Sequence, residues 1–113
     1  MYQGTVVRKI SVVVPAYNEQ EVLQEFHRRL TAVMSDLPHR WEVVYVNDGS
    51  RDATIHVLEE LRRQDPRVSI VDLSRNFGKE IALTAGLDHA TGDAVVVIDA
   101  DLQDPPELIP TLV

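Results

Sequence analysis

Three aspartates, Asp99, Asp101 and Asp104, lie close together directly after an uncharged apolar run. Two carboxylates about 5 Å apart repel each other by roughly 3 kcal/mol at an effective dielectric constant near 20, so keeping both ionised requires a cation or hydrogen-bond donors. Mg²⁺ or Mn²⁺ suits such oxygen ligands and keeps coordination positions for substrate phosphates. Taken alone, the same pattern is equally typical of a strand end at Asp99 followed by helix-capping residues.

A second group of residues could contact a nucleotide. Asp48 precedes Gly49 and Ser50, and a carboxylate at such a strand end can accept hydrogen bonds from a base or ribose. Tyr17 and Glu19 could stack on and hydrogen-bond the same base, while Pro15 fixes the direction of the loop. The alternatives are that Asp48 caps the following helix and that the residues after Pro15 form an ordinary strand-to-helix turn.

The sequence Arg75-Asn-Phe-Gly-Lys79 carries the only concentrated positive charge near these residues. Gly78 permits close approach of the backbone, and Lys79 could meet a phosphate at the N-terminus of the next helix. The sequence is not a Walker loop, because the earlier glycine and the Ser or Thr after the lysine are both missing. A solvated loop is an equally good interpretation.

The four histidines show no spacing that would make a pair of metal ligands, and we expect all of them at the surface; they are His27, His39, His56 and His89. Trp41 opens a predicted strand and is expected to pack in the core. No nucleophilic triad is discernible.

Four apolar, β-branched runs predict the strands that must position these groups. They are Ile10–Pro15, Trp41–Asn47, Val68–Leu73 and Ala94–Ile98. The last run is apolar throughout, which is typical of a strand covered on both faces of a parallel sheet. We therefore expect this strand at the centre of the sheet.

Helical patterns separate the strands. Apolar residues recur at helical spacing over 22–34 and 55–61, the second after an N-cap at Ser50 or Asp52. A third helix is predicted over Lys79–Ala90, closed by Gly92, and a fourth begins at Pro105 with Asp104 as its cap. The βαβαβαβα order predicts an α/β fold with parallel strands, whose ligands bind beyond the carboxyl ends of the strands at the switch point of the sheet. The polar clusters after the first, second and fourth strands should therefore converge.

Composition limits the class of protein. The 113 residues suffice for one domain over 1–113, with 44% hydrophobic and 26% charged residues, as in ordinary globular proteins. A net charge of −7 and no basic stripe argue against binding nucleic acid. There is no cysteine, which excludes disulfides and thiolate chemistry. No apolar run approaches the roughly 20 residues of a membrane span, so this part of the protein is expected to be soluble and cytoplasmic.

Three motifs together resemble family 2 glycosyltransferases. They are Ser11-Val-Val-Val-Pro-Ala-Tyr-Asn-Glu19, Val46-Asn-Asp-Gly-Ser50 and Val97-Ile-Asp-Ala-Asp-Leu-Gln-Asp-Pro-Pro106. The Arg75–Lys79 sequence and Asp-Leu-Gln-Asp-Pro-Pro narrow the resemblance to the polyprenyl-phosphate (dolichyl-phosphate) mannosyl- and glucosyltransferases. The resemblance runs from about Ile10 to the end of the chain. It implies a Rossmann-like GT-A nucleotide-diphospho-sugar transferase fold, with a mainly parallel sheet flanked by helices and truncated after the fourth strand.

The same resemblance assigns roles to the candidate residues. Pro15, Tyr17, Glu19 and Asp48 would hold the nucleoside of a UDP- or GDP-sugar. Asp99 and Asp101, with Gln103 as a third contact, would hold Mg²⁺ or Mn²⁺ and the diphosphate. The metal would stabilise the departing nucleoside diphosphate, attack from the opposite face would invert the anomeric centre, and a polyprenyl-phosphate acceptor would need no strong general base.

Other readings stay open at this point. The family's acceptor-binding half is missing, so the chain is expected to bind nucleotide without turning over, and a non-catalytic nucleotide- or metal-binding module is the alternative. A phosphohydrolase with Asp99 as nucleophile and Asp101 as acid and base is a third possibility, although the Ser or Thr expected after them is absent. Association of the chain with itself is also possible, and we expect the full-length protein at the cytoplasmic face of the membrane.

Overall fold

The computed structural model describes residues 8–101 and 105–112 of the chain. Within these residues lie four strands, β1 (Lys9–Ala16), β2 (Arg40–Asp48), β3 (Val68–Leu73) and β4 (Ala94–Val97). The helices are α1 (Leu23–Ser35), α2 (Thr54–Gln64), α3 (Lys79–His89) and α4 (Ile109–Leu112), the last preceded by a 3₁₀ turn (Pro106–Leu108). The predicted alternation of strands and helices is confirmed.

The four strands form one parallel sheet in the order β3-β2-β1-β4. Ala16 of β1 lies beside Asn47 of β2, and Val13 of β1 lies beside Val97 of β4. After β3 the chain crosses to the far side of β1, so the direction of winding changes between β1 and β4. The carboxyl ends of these two strands are where an α/β sheet of this kind binds ligands.

The position predicted for the fourth strand is wrong. In the described part of the chain, β4 lies at an edge of the sheet, and the central strands are β1 and β2. Val96 is buried, but Val95 and Val97, which point to the other face, are 42% and 43% exposed. The reason is that α3 packs over β1 and β2, so that it does not cover this face of β4. An apolar run in the sequence shows that a strand has hydrophobic side chains on both faces. It does not show which helix or strand packs against each face.

Two layers of helices cover the sheet. The first face carries α1 and α2 over the main core, with Phe26, Leu30 and Tyr45 among its fully buried side chains. On the second face α3 approaches very closely at Gly86, where a Cβ atom would lie 2.5 Å from a methyl group of Val13. The close approach requires glycine, because a larger residue would separate the helix from the sheet. Trp41 lies in the main core as predicted.

His27 is buried, so the expectation that all four histidines lie at the surface is wrong for this residue. Its side chain belongs to the His27 cluster, which comprises His27, Tyr45, Asp65 and Arg67. Nδ1 of His27 lies 2.7 Å from the Tyr45 hydroxyl and Nε2 lies 3.1 Å from an Asp65 carboxylate oxygen. Arg67 donates to the same carboxylate at 2.9 Å and stacks over the ring of Trp41. Buried polar groups are stable when they are paired in this way.

Several predicted helix ends differ from the observed ones. The N-cap of α2 is Ala53, not Ser50 or Asp52 as predicted: Asp52 accepts a hydrogen bond from the Thr54 amide, the first of the helix, and the Ser50 hydroxyl accepts one from the Asn18 amide. The helix α3 ends at His89, and Gly92 does not close it: its amide donates to the Ser11 hydroxyl, and a Cβ atom would lie 2.6 Å from that oxygen. The predicted cap Asp104 lies outside the described residues.

Candidate active site

The predicted site residues within the described part of the chain meet in one cavity of about 190 Å³ at the carboxyl ends of β1, β2 and β4. We call this cavity, with its carboxylates, the acidic cavity. It is lined by Pro15, Ala16, Tyr17, Glu19, Asp48, Lys79, Asp99 and Asp101. The predicted convergence of the three clusters is therefore confirmed. Gln103, the predicted third metal contact, lies outside the described residues.

Two interlocked loops hold Tyr17 and Glu19 at the cavity. The Asn18 amide donates to the Ser50 hydroxyl at 2.9 Å, and the Asn18 side-chain oxygen accepts from the Arg51 amide at 2.8 Å. The Glu19 amide donates to the Thr54 hydroxyl at 2.9 Å. Asn18 has a φ of +54°, a left-handed conformation that asparagine tolerates better than most residues. The loop after β1 is thus fixed by the loop after β2, with Tyr17 41% exposed.

Asp48 stands at the end of β2 and is only 4% exposed. One carboxylate oxygen accepts a hydrogen bond from the Phe77 amide at 2.8 Å, and the other accepts one from the Gly78 amide at 3.2 Å. Both amides come directly before α3. The N-terminus of that helix, where the sequence suggested a phosphate, therefore already faces a protein carboxylate, as expected from the partial positive charge of a helix N-terminus.

Lys79 is the first residue of α3 and reaches across to the end of β4. Its Nζ donates to a carboxylate oxygen of Asp99 at 2.8 Å. The pair is accessible to solvent, since the side chains of Lys79 and Asp99 are 60% and 33% exposed. An exposed pair of this kind contributes little to stability. Its position on the cavity wall makes it a contact that a ligand could rearrange.

Negative charge is concentrated in the acidic cavity. The pKa of Glu19 is raised above its ordinary value, first by partial burial and then by the negative charges of Asp101, Asp52 and Asp99. A cation in the cavity would relieve this repulsion. Residues 8–101 and 105–112 contain no group of three His, Cys, Asp or Glu side chains placed to hold a metal ion. The pair Asp99 and Asp101 fits a Mg²⁺ or Mn²⁺ site of the kind that uses one or two carboxylates and completes its coordination with phosphate oxygens.

Sequence reasoning missed the residues that support the site. Asn76 donates through its side-chain amide to the Asp48 main-chain oxygen at 3.1 Å, and Ser50 and Thr54 hold the loop after β1. The left-handed turn at Asn18 could have been predicted from the sequence, because an asparagine directly after a strand is typical of a left-handed turn residue. No local pattern in the sequence identifies the partners of Ser50, Thr54 and Asn76, because these contacts join loops distant along the chain.

None of the helices in the described residues combines the length and the apolar character that crossing a membrane requires.

Comparison with known proteins gives the family. The family model for glycosyl transferase family 2 matches residues 11–113. The glycosyltransferase YkcC of Bacillus subtilis is 58% identical over 99 residues, which is 88% of this chain and 31% of the relative. A bactoprenol glucosyl transferase of Shigella phage SfV is 50% identical over 105 residues, which is 93% of this chain and 34% of the relative. The chain thus spans about a third of the length of the relatives it matches.

Solved structures agree with this family. The mannosyltransferase PcManGT from Pyrobaculum calidifontis, in complex with GDP-Man and Mn²⁺, superposes with a TM-score of 0.72 at 31% identity, covering 84% of this chain and 28% of that one. S. aureus TarS 1–349, in complex with UDP-GlcNAc, gives a TM-score of 0.73 at 32% identity, covering 82% and 26%. The predicted GT-A fold is confirmed, and the bactoprenol relatives agree with the resemblance to the polyprenyl-phosphate branch. A parallel sheet of this topology, a polar cavity at its switch point and a family match over nearly the whole chain together show that the chain belongs to glycosyl transferase family 2.

Proposed function

We propose that this chain is the donor-binding part of an inverting glycosyltransferase that transfers a hexose from a UDP- or GDP-sugar to a polyprenyl phosphate. The observation that carries the proposal is the meeting of Asp48, Lys79, Asp99 and Asp101 in one cavity at the switch point of the sheet. The names of the bactoprenol relatives support the polyprenyl-phosphate acceptor. The two solved structures, one with GDP-Man and one with UDP-GlcNAc, support a nucleotide-sugar donor.

Each wall of the acidic cavity would act on a different part of the donor. Pro15, Tyr17, Glu19 and Asp48 would hold the nucleoside, with Tyr17 exposed enough for its ring to stack on a base. The Asp48 carboxylate already accepts from two main-chain amides and from the Asn76 side chain, but an ionised carboxylate can accept about four hydrogen bonds, so it could accept one more from the ligand. Lys79 would turn from Asp99 towards the diphosphate. This places the nucleoside beside β1 and β2 and the diphosphate beside β4.

Asp99 and Asp101 would hold Mg²⁺ or Mn²⁺, with Gln103 as a third contact. When bound, the ion supplies Lewis-acid stabilisation of the negative charge that develops on the departing nucleoside diphosphate. These carboxylates are the residues whose loss should affect metal and diphosphate together. The cation would also relieve the repulsion that raises the pKa of Glu19.

The acceptor oxygen would attack the anomeric carbon from the face opposite the leaving group, which inverts the configuration. A phosphate acceptor is already ionised at neutral pH, so this cavity needs no strong general base for the attack. Because the chain spans about a third of the relatives' length, we propose that residues 1–113 form one donor-binding domain that does not turn over alone. The whole protein would act at the cytoplasmic face of a membrane, where its lipid acceptor lies.

Calorimetric titration with UDP and with GDP, each with and without Mn²⁺, tests the donor site. We expect metal-dependent binding of one nucleotide, at least tenfold weaker in Asp99→Ala and Asp101→Ala because each removes a charge-assisted contact worth about 1.5–3 kcal/mol. Asp88→Ala is the matched control, since this exposed aspartate lies on α3 away from the cavity. Equal binding in all variants would contradict the assignment, and hydrolysis of a generic phosphoester would favour the phosphohydrolase.

A further inference from the structure

The loop of residues 75–79 is held by contacts with the end of β2. We call Asn76, Asp48 and Gly49, with the amides that they contact, the loop clamp. Asp48 accepts from the Phe77 and Gly78 amides, and the Asn76 side-chain amide donates to the Asp48 main-chain oxygen at 3.1 Å and to its carboxylate at 3.4 Å. Four hydrogen bonds therefore tie the end of β2 to the segment before α3.

Gly49 brings the two backbones into direct contact. It has a φ of +65°, and a Cβ atom here would lie 2.1 Å from the Arg75 carbonyl carbon and from the Asn76 nitrogen. Backbone atoms cannot yield as a flexible side chain can, so a larger residue would displace the loop. The position of the loop is thus set by shape as well as by hydrogen bonds.

The loop clamp ends at a charged group of the acidic cavity. Gly78 is the N-cap of α3, and its amide and that of Phe77 both donate to Asp48, which comes from a distant part of the chain. Lys79 follows immediately, and its Nζ lies 2.8 Å from Asp99. Asn76 itself is exposed and is not among the residues that line the cavity.

We propose that Asn76 is a positioning residue, which acts through Asp48 and the loop clamp to hold Lys79 at the cavity, where it contacts Asp99 in the ligand-free protein and lies in reach of the donor diphosphate. The part concerning the diphosphate rests on the proposed function, whereas the position of Lys79 does not. The role predicts that a change at Asn76, which does not itself line the cavity, alters the behaviour of Lys79.

Competitive acylation of the ligand-free protein tests the position of Lys79. The chain contains two lysines, Lys9 and Lys79. Lys9 begins β1, at the end of the strand opposite to the acidic cavity, and contacts Glu42 and Thr91. Lys9 is therefore an internal reference. We expect Asn76→Ala to raise the ratio of acylated Lys79 to acylated Lys9 by about fivefold, the factor for one hydrogen bond of ordinary strength. The reason is that Lys79 must leave Asp99 before its nitrogen can attack the reagent.

Two further variants make this result specific. Asn76→Asp keeps the size of the side chain but places a carboxylate beside Asp48, so it should raise the ratio more than alanine does. Gln64→Ala removes an exposed amide that bonds only to Glu60 at the end of α2 among the contacts seen, and it should leave the ratio unchanged. An unchanged ratio in both Asn76 variants would overturn the proposal, as would an equal rise in Gln64→Ala.

Binding of nucleotide tests the consequence for the donor. Asn76→Ala should weaken binding of the preferred nucleoside diphosphate about fivefold and have a smaller effect in Lys79→Met, because the two variants act in part through one group. Equal weakening with and without Lys79 would overturn the role of Asn76. If the parent protein binds neither UDP nor GDP, the proposed function fails, while the acylation ratio still decides whether Asn76 positions Lys79.

Discussion

The His27 cluster and the acidic cavity both gather ionisable side chains, but they balance charge in opposite ways. In the cluster, Asp65 is bonded to His27 and Arg67, and these hydrogen bonds lower its pKa in spite of burial. In the cavity, burial and neighbouring carboxylates raise the pKa of Glu19. One region has its charges satisfied by the fold, whereas the other holds negative charge that a bound cation would satisfy. The opposite pKa shifts of Asp65 and Glu19 follow from this difference in their neighbours.

The largest expected effect is the loss of the His27 cluster. His27→Ala should lower the free energy of unfolding by about 3 kcal/mol, because it leaves the buried Tyr45 hydroxyl and part of Asp65 unpaired as well as creating a cavity. Chemical denaturation measures the change. His56→Ala, on the exposed surface of α2, is the control and should change it by less than about 0.5 kcal/mol. Similar losses of unfolding free energy in His27→Ala and His56→Ala would show that the His27 cluster stabilises the fold no more than an exposed histidine does.

A pair of tyrosines compares the two regions with one chemical change. Tyr45→Phe removes the hydroxyl that contacts His27 and should cost about 1–2 kcal/mol, since the ring nitrogen keeps no other partner there. Tyr17→Phe, at the half-exposed cavity wall, should leave the free energy of unfolding within about 0.5 kcal/mol. Thermal or chemical unfolding of both variants checks this, and a greater loss in Tyr17→Phe would reverse the comparison.

Acidification should lower the free energy of unfolding, because it protonates His27. Burial lowers the pKa of His27 below 6.5, with Asp65 opposing the shift. The unfolded chain therefore takes up a proton before the folded protein does, and stability present above pH 6.5 is lost as the pH falls. The loss should appear between pH 7 and 5 and be smaller in His27→Gln. The measurement is best made with Glu19→Gln added to both the parent protein and His27→Gln. The raised pKa of Glu19 changes stability with pH in the opposite direction and would otherwise mask part of the loss.

The smallest effect is expected at Glu19. Its raised pKa means that the folded protein binds a proton at Glu19 more readily than the unfolded chain, so this contribution to stability is present below pH 4.5 and lost as the pH rises through the folded-state pKa. Glu19→Gln keeps the side chain neutral and should therefore raise the melting temperature slightly at pH 8 and not at pH 4. A lower melting temperature at pH 8 would mean that ionised Glu19 supports the fold.

The strand ends explain why much of the candidate site could be predicted. Pro15, Asp48 and Asp99 each stand at or just after a strand whose apolar pattern is clear in the sequence. Parallel strands bring such residues to one edge regardless of the details of packing. The helix predicted over Lys79–Ala90 is observed over Lys79–His89, within one residue, although Gly92, which was expected to close it, does not do so.

The errors concern features that depend on distant neighbours. Burial of His27 needs a hydroxyl from β2 and a carboxylate from the segment after α2. No local pattern in the sequence predicts that these three groups come into contact. The edge position of β4 depends on its pairing with β1 alone among the described strands, and the exposure of Val95 and Val97 depends on which strands α3 covers. Asn76 bonds to Asp48, 28 residues earlier, so its role in the loop clamp could be seen only once the loops were placed together.

The pairing of β1 with β4 has a consequence for synthesis of the chain on the ribosome. Ile10 lies beside Ala94, so one side of the central strand β1 has no β4 partner until about 84 more residues have been made. At roughly 5–20 residues per second this takes about 4–17 s, during which the strongly apolar strand β1 is unpaired on its β4 side. Pairings so distant along the chain also slow folding itself. The nascent protein should therefore depend on chaperone protection most strongly before β4 leaves the ribosome.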